Sequence, residues 1–388
     1  MKKKIVILGS TGSIGKNLFN ILKKDRNNFE ISLIAANNNV TEVLKQIKIF
    51  KVNNIVITNY KKFLYLKKKL CKKKINIYNN FDCIDTIFIN KKVDYVMNAI
   101  SGIDGLDPTL KIIKFTKKIA IANKESIICG WSLIKKELFI NKTKFVPIDS
   151  EHFSIYSLIG GLNNDNIDKV FITASGGPFN KYPLNKFKSI TPKAALIHPN
   201  WKMGKKITID SATMMNKVFE IIEAKKIFDL DYKNLEILVH PKSYVHALVK
   251  FKNGLTKILI HDTNMSIPIF NSLYENEVKK IASKKLNVTA LNNLNFENVN
   301  VEKFPVIKII KQLPNNHSLF ETIIVTANDV LVDMFLNKKI KFLDISKNLL
   351  KILKNKEFLK YKSIIPKKIN DIVNLSDYVS LKIKSLDI

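Results

Sequence analysis

A chain of 388 residues, 46% of them hydrophobic, can bury a large core, and its length favours two or three domains. The formal net charge of +32 is carried almost wholly by lysines spread along the chain, with arginine only at Arg26. A nucleic-acid surface would use arginine for bidentate contacts, so the charge reads as compositional bias with a general pull on anions. The cysteines Cys71, Cys83 and Cys129 form no CxxC pair, which excludes a disulfide framework and a Cys-rich zinc site. No apolar run approaches the roughly 18 residues of a membrane span, and "MKKKIVILGS" is too short-cored for a signal peptide. A soluble, cytoplasmic protein with no membrane or nucleic-acid partner is expected.

Along the first 150 residues, short β-branched runs alternate with helical patterns. Strands are predicted at 4–10, 29–36, 53–58, 93–100, 118–123 and 143–148, and helices at 14–24, 41–50, 60–72 and 106–115. This alternation predicts an α/β fold opening on a doubly wound, Rossmann-type parallel sheet. A second unit begins with "KVFITASGG" (169–177), followed by one long helix over 210–228 capped by Asp210 or Ser211. The runs 235–240, 244–251 and 255–261 alternate as an antiparallel sheet, with "KNG" (252–254) turning the last two into a hairpin. Residues 285–317 are Asn-rich and read as a linker. A helical region opens near a possible capping box, Ser318 to Glu321. The expected division is therefore 1–149, 150–284, a linker at 285–317, and 318–388.

Several motifs carry chemistry. "LGSTGSIGKN" (8–17) places Gly9, Gly12 and Gly15 at the first strand–helix turn, a GxxGxxG variant of the dinucleotide turn. Thr11, Ser13 and the Ile14 amide would hydrogen-bond a pyrophosphate there; a plain strand–turn–helix is the alternative. After the second strand, Asn37, Asn38 and Asn39 stand where an NAD enzyme usually has an acid, which tilts the reading toward NADP. "IANKES" (121–126) sets Asn123, Lys124 and Glu125 at a strand end, as a ligand edge or a solvated loop. "ASGGPF" (174–179) is an anion nest around Ser175 or an ordinary turn. "HPNWKMGKK" (198–206) is a lid or a buried anchor.

"VPIDSEHF" (146–153) raises the sharpest question. On an extended chain Asp149 and Glu151 point the same way, and two adjacent carboxylates need a positive partner. Glu220, with Asn216 four residues before it and Lys217 alongside, offers a third carboxylate from a helix; a solvated polar face is the bland alternative. An all-oxygen set favours Mg²⁺ or Mn²⁺. His152 should face away as packing, and His240 and His246 read as core histidines.

Taken in order, "ILGSTGSIG", "NAISGIDGLDPTL", "ANKES", "PIDSEH", "SGGPF", "HPNW.MG.KI", "DSATMMNK..E" and "HP.S.VH" resemble the 1-deoxy-D-xylulose 5-phosphate reductoisomerase family over nearly the whole chain, least after about residue 280. The resemblance implies an N-terminal NADPH domain, a central catalytic and dimerisation domain with a mixed sheet, and a C-terminal helical domain. It implies metal ligation by Asp149, Glu151 and Glu220. It places the substrate phosphate on Ser175, Ser211, Asn216 and Lys217 with His198, and the substrate hydroxyls at Ser150 and Lys124. Lys124 joins the three ligands as a catalytic residue, and Trp201 and Met203 belong to the lid. Cofactor contacts would be Thr11, Gly12, Ser13, Ile14, Asn37, Asn38, Asn39, Asn123, Glu125 and Gly204. The implied reaction is metal-dependent rearrangement followed by NADPH reduction, in a homodimer. The chain departs from the family's pattern at Asn37–Asn38, at Val218, at "HDTNMSIPI" (261–269) and at "TANDV" (326–330, for "NAANE"). A semialdehyde-type dehydrogenase would need a Cys nucleophile in an active-site loop, and none is present. If Ser150 touches substrate, the chain must leave extended geometry right there.

Overall fold

A computed structural model of the chain describes residues 2–161, 164–201, 203–275 and 277–385. Residue 202 of the expected lid and the last three residues of the expected C-terminal region lie outside them. The chain gathers into two units, and their make-up differs from the three parts expected. Unit one holds residues 1–126, 132–149 and 265–281; unit two holds 127–131, 150–264 and 282–388.

Unit one is built on seven strands: β1 (Lys3–Leu8), β2 (Phe29–Ala36), β3 (Asn54–Ile57), β4 (Asn76–Tyr78), β5 (Val93–Asn98), β6 (Thr116–Ile121) and β7 (Lys144–Pro147). They lie in the order β4-β3-β2-β1-β5-β6-β7, every pair parallel. This is the expected doubly wound sheet, and its chain order reverses between β1 and β5, where such folds bind ligands. The strands read as unbroken apolar runs because both faces are covered: Ile5, Val6, Ile7 and Leu8 are all fully buried. Two elements here escape the sequence pattern. Strand β4 is three residues long and half exposed, and the helix Lys124–Asn141 is apolar on several sides, so no helical stripe stands out.

Residues 265–281 also belong to this unit, which moves them out of the domain assigned to 150–284. Their helix, Ser266–Tyr274, buries Ile269, Leu273 and Tyr274 in the unit-one core. Tyr274 donates to Asp25 Oδ2 at 2.9 Å, and Tyr95 Oη and Ser272 Oγ are hydrogen-bonded at 2.8 Å.

Unit two contains β8 (Ile167–Ala174), β9 (Leu235–Val239), β10 (Val245–Phe251), β11 (Thr256–Ile260) and β12 (Glu297–Asn298), ordered β11-β10-β8-β9-β12. The sheet is mixed: β9 runs parallel to β8, while β10 pairs antiparallel with β8 and β11. The run 235–240 does not pair with 244–251 as a purely antiparallel sheet would have it, because β8 lies between β9 and β10 and pairs with both. The hairpin at 252–254 is present, with Gly254 at φ +87°. Residues 285–317 are more than a linker: they supply β12 and a 3-10 helix at Pro305–Gln312. Helices Phe320–Leu336, Phe342–Leu353 and Ile369–Lys384 follow.

Two local corrections matter for the site. The chain does not stay extended through "PIDSEH": β7 stops at Pro147, and a helix, Ser150–Ile159, starts at the serine. The long helix expected at 210–228 is two helices, Lys205–Thr213 and Met215–Phe228, divided at Met214, which adopts φ +67° and is fully buried. Asp210 and Ser211 thus lie in the first helix and cap nothing in the second.

Candidate active site

The first turn of unit one is shaped by backbone crowding. Gly9 sits at φ +82°, and a Cβ there would lie 2.6 Å from the Ala99 carbonyl oxygen. A Cβ on Gly15 would lie 2.3 Å from the Gly9 carbonyl oxygen, so the helix Ser13–Lys24 can approach the turn only without side chains. Gly12 and Ser13 are exposed and Thr11 and Ile14 half-buried at the start of that helix, which carries no capping side chain and no acid in its first turn. Its amides face an anion-ready end. Asn37, Asn38 and Asn39 are exposed after β2, and Asn39 Oδ1 caps the next helix by accepting from the Glu42 amide at 3.1 Å.

Asn123 is committed to structure. Its amide donates to the Ile100 carbonyl and, at 2.7 Å, to that of Gly102, while its Oδ1 caps Lys124–Asn141 through the Ser126 amide at 2.8 Å. Lys124 and half-buried Glu125 form the first turn of that helix, so "ANKES" is a capped helix start and not a solvated loop. Gly204, exposed, occupies the N-cap of Lys205–Thr213 in unit two.

Asp149 ends unit one and is bonded directly to Ser150, so the carboxylates come from one short stretch and one helix. Oxygens of Asp149, Glu151 and Glu220 all lie within 4.8 Å of one another. Lysine ammonium groups neutralise them: Lys124 pairs with Asp149, and Lys217 Nζ lies 2.5 Å from both Glu151 Oε1 and Glu220 Oε2. Asn216 donates to Glu220 Oε1, and its own Oδ1 is buried without a hydrogen-bond partner. The donor set is hard and all-oxygen, which fits Mg²⁺ or Mn²⁺ and not zinc. The helical start puts Ser150 beside its neighbour Glu151, to which its hydroxyl donates. A strand would have turned the two apart.

In unit two, Ser175 after β8, His198 and Ser211 on the helix Lys205–Thr213 are brought together by hydrogen bonds. Ser175 Oγ lies 3.2 Å and Ser211 Oγ 3.0 Å from His198 Nε2. His198 Nδ1 accepts two backbone amides, those of Asn200 at 3.1 Å and Trp201 at 3.0 Å. That fixes the tautomer: Nε2 carries the proton and points it at the serines. Gly177, at φ +65°, would place a Cβ 2.7 Å from the Ser211 carbonyl oxygen, so the glycine lets "SGGPF" close on the helix carrying Ser211. The segment after His198 is tied down by Asn200, which donates to Pro241 O at 2.7 Å and Ser243 Oγ at 2.9 Å. Trp201 and Met203 are half-buried there.

His152 is packing, as expected, though on a helix: its Nε2 is hydrogen-bonded to the Glu220 carbonyl oxygen at 2.9 Å. His240 is also satisfied, by the Asn295 carbonyl oxygen. His246 is a satisfied core histidine, as expected: it is buried in β10, and its Nε2 is hydrogen-bonded to the His261 carbonyl oxygen at 3.1 Å. Its ring stacks on His261 at 3.7 Å and meets Trp201 edge-on, and the Glu151 charge reaches both histidines. His261 belongs to the departing stretch "HDTNMSIPI".

Burial, with Lys217 adding its charge, pulls His198 down to about 4. Burial and the neighbouring His261 bring His246 to about 4, and burial with Lys226 brings His317 to about 3. All three are neutral at pH 7. Their folded values lie below the unfolded 6.5, so the unfolded chain binds protons first as pH falls, and stability rises with pH across this window. The denaturant midpoint is expected to fall steadily from pH 6.5 to pH 4.5; a flat midpoint would contradict this burial.

A parallel dinucleotide-type sheet with a glycine-walled first turn, and three carboxylates gathered as a hard cation would need them, fit one class: a nucleotide-dependent oxidoreductase that uses a divalent metal. Residues 5–130 match the 1-deoxy-D-xylulose 5-phosphate reductoisomerase domain, and 145–228 and 261–380 match two C-terminal domains of the same enzyme. The chain is 61% identical over 387 residues to the 1-deoxy-D-xylulose 5-phosphate reductoisomerase of Pelagibacter ubique, covering 100% of both chains. It is 36% identical to that of a Sulfurihydrogenibium species over 93% of each. Among solved structures, the Zymomonas mobilis reductoisomerase in complex with NADPH superposes with a TM-score of 0.88 at 30% identity, covering 100% of both. A reductoisomerase in complex with NADPH, fosmidomycin and magnesium gives 0.90 at 29% identity, over 99% of this chain and 98% of that one. The chain belongs to the 1-deoxy-D-xylulose 5-phosphate reductoisomerase family. Its activity is the metal-dependent isomerisation and NADPH-dependent reduction of 1-deoxy-D-xylulose 5-phosphate to 2-C-methyl-D-erythritol 4-phosphate, a step toward isoprenoid precursors. No helix among the described residues is long and apolar enough to cross a membrane.

Proposed function

We propose that Asp149, Glu151 and Glu220 hold the divalent cation, that Ser175, His198, Ser211, Asn216 and Lys217 hold the substrate phosphate, and that Lys124 and Ser150 meet the substrate's oxygen-bearing carbons. The observation that carries this reading is the gathering of three carboxylate oxygens within 4.8 Å on elements that also present Lys217 and Asn216. When bound, the cation supplies Lewis-acid polarisation and a template for substrate oxygens, and NADPH supplies the hydride. The chain's own residues do the rest. His198 donates through Nε2–H, and the two serine hydroxyls turn toward the phosphate as donors. Lys217 bridges Glu151 and Glu220, and its charge would also serve the substrate phosphate. Trp201 and Met203 would screen the rearranging substrate from water.

Unit one takes NADPH along Thr11, Gly12, Ser13 and Ile14, with Asn37, Asn38 and Asn39 at the ribose phosphate, where no acid repels it. Asn123 acts by fixing the loop before Gly105, and Glu125 and Gly204 complete the cofactor contacts. Residues 1–149, joined by 265–281, serve as the nucleotide domain, 150–264 as the catalytic and dimerisation domain of a cytoplasmic homodimer, and 318–388 as the helical domain beyond the 285–317 segment.

Calorimetric titration of the metal-free protein with Mn²⁺ tests the ligand assignment. One site per chain is expected, weakened at least about tenfold in Asp149→Asn. Equal affinity in the two proteins would remove Asp149 from the set.

A further inference from the structure

The two arms of the kinked helix carry different chemistry. Lys205–Thr213 bears Ser211, assigned above to the substrate phosphate, and Met215–Phe228 bears Asn216, Lys217 and Glu220. Each arm is held from behind by the same C-terminal helix, Phe320–Leu336. On the first arm, buried Asp210 accepts from Asn328 Nδ2 at 2.7 Å, and Lys206 bridges Asp210 and Asp329 at 3.0 and 2.9 Å. On the second arm, buried Lys226 pairs with Glu321 Oε1 at 3.0 Å and contacts His317 Nδ1. Glu321 Oε2 is held in turn by the Ser318 amide at 3.0 Å and hydroxyl at 2.6 Å.

The spacings make this one device. Glu321 and Asn328 are seven apart, nearly two full turns, so they share a stripe of Phe320–Leu336. Lys226 is nine residues beyond Lys217, half a turn out of phase, so the pinned side of Met215–Phe228 lies opposite Lys217. Asn328 is fully buried and Glu321 nearly so. Buried polar pairs of this kind add little net stability against apolar replacements, but they fix geometry.

We propose that Asn328 and Glu321 are positioning residues: from one rigid helix they set the two arms across Met214, and so hold the phosphate donor Ser211 in register with the ligand Glu220. This rests on the assignments of Ser211 and Glu220 made above. Across Met214 the arms have a local tie, the Met215 amide donating to Thr213 Oγ1 at 3.3 Å. The C-terminal helix closes the triangle. "TANDV" carries Asn328, so this departing motif has a task at the site without touching substrate.

The pins predict separable losses. Metal-free full-length protein is titrated with inorganic phosphate, followed by Trp201 fluorescence, and separately with Mn²⁺ by calorimetry. Asn328→Leu is expected to weaken phosphate about tenfold and raise KM for 1-deoxy-D-xylulose 5-phosphate with little change in kcat, leaving Mn²⁺ binding as in the parent; Glu321→Gln is expected to do the reverse, weakening Mn²⁺ about tenfold. Lys226→Met with Glu321→Leu replaces the ion pair by an apolar one, and keeps the fold while still weakening Mn²⁺. Should Asn328→Leu not fold, Asn328→Ser removes the same bond with less bulk. Parent-like affinities in folded variants, or equal loss of both ligands in step with lost stability, would overturn the proposal. A parent protein that binds neither phosphate nor Mn²⁺ would instead overturn the site assignment.

Discussion

Replacing Glu220 by glutamine is expected to lower kcat/KM for 1-deoxy-D-xylulose 5-phosphate by at least about a hundredfold, the size of loss found when one electrostatic stabiliser of a transition state is removed. Two decades correspond to about 2.7 kcal/mol of barrier. Glu220 is 1% exposed, and glutamine keeps its shape, so the fold should survive. The hydrogen bond from His152 goes to the backbone of residue 220 and is untouched. What is lost is one of three charges in an oxygen cluster otherwise balanced by lysines. Raising Mn²⁺ should recover part of the rate, because the defect lies in metal affinity. Full activity in Glu220→Gln at ordinary Mn²⁺ would show that the third carboxylate is not a ligand.

The second large effect concerns Lys217. Its ammonium group is buried between Glu151 and Glu220, at 2.5 Å from each. Lys217→Met removes the ammonium group shared by Glu151 and Glu220, and removing one partner of a buried pair costs about 3–5 kcal/mol. A bound divalent ion would offset this: ligand at a hundred times its Kd stabilises by about 2.7 kcal/mol. The parent chain, which carries its own internal cation, should gain less from the same metal. Denaturant unfolding of both proteins, with and without Mg²⁺, measures the difference. If the variant is as stable as the parent without metal, the lysine is not the balancing charge.

Much of the fold is legible in the sequence because its strands are long and buried on both faces. "FEISLIAA" begins and ends where β2 does: Phe29, Ile31 and Leu33 alternate with half-buried Glu30 and Ser32, and a buried apolar run follows to Ala36. The glycine turn is equally legible, because backbone crowding at Gly9 and Gly15 leaves few alternatives to glycine. What failed were inferences in which a local pattern had two solutions. "PIDSEHF" continues an apolar strand, yet serine is also a good helix starter, and the helix won at Ser150. That change answers the question of Ser150 without requiring any distortion, since neighbouring residues on a helix lie about 100° apart and not on opposite faces.

At 210–228 the apolar pattern runs straight through Met214, and nothing in a methionine forecasts a left-handed conformation. Strand β9 alternates like an antiparallel strand, but its partner is chosen by the crossover helix before it, a tertiary fact. The stacking of His246 on His261 and the pinning of Asp210 by Asn328 join residues 15 and 118 positions apart, beyond the reach of any periodicity. The three carboxylates were recognisable as a set only because chemistry demands a counter-charge. Lys124 and Lys217 pair with these carboxylates, contacts that no spacing in the sequence specifies.

The central claim is that a divalent cation held by Asp149, Glu151 and Glu220 is required for turnover. NADPH oxidation followed at 340 nm (the nicotinamide absorbance) with 1-deoxy-D-xylulose 5-phosphate tests it most directly, in EDTA-treated enzyme before and after adding Mg²⁺ or Mn²⁺. The expected result is no turnover with EDTA, restoration by either ion, and no restoration in Asp149→Asn at the same metal concentration. Undiminished turnover in EDTA, or no turnover with any divalent ion, would contradict it.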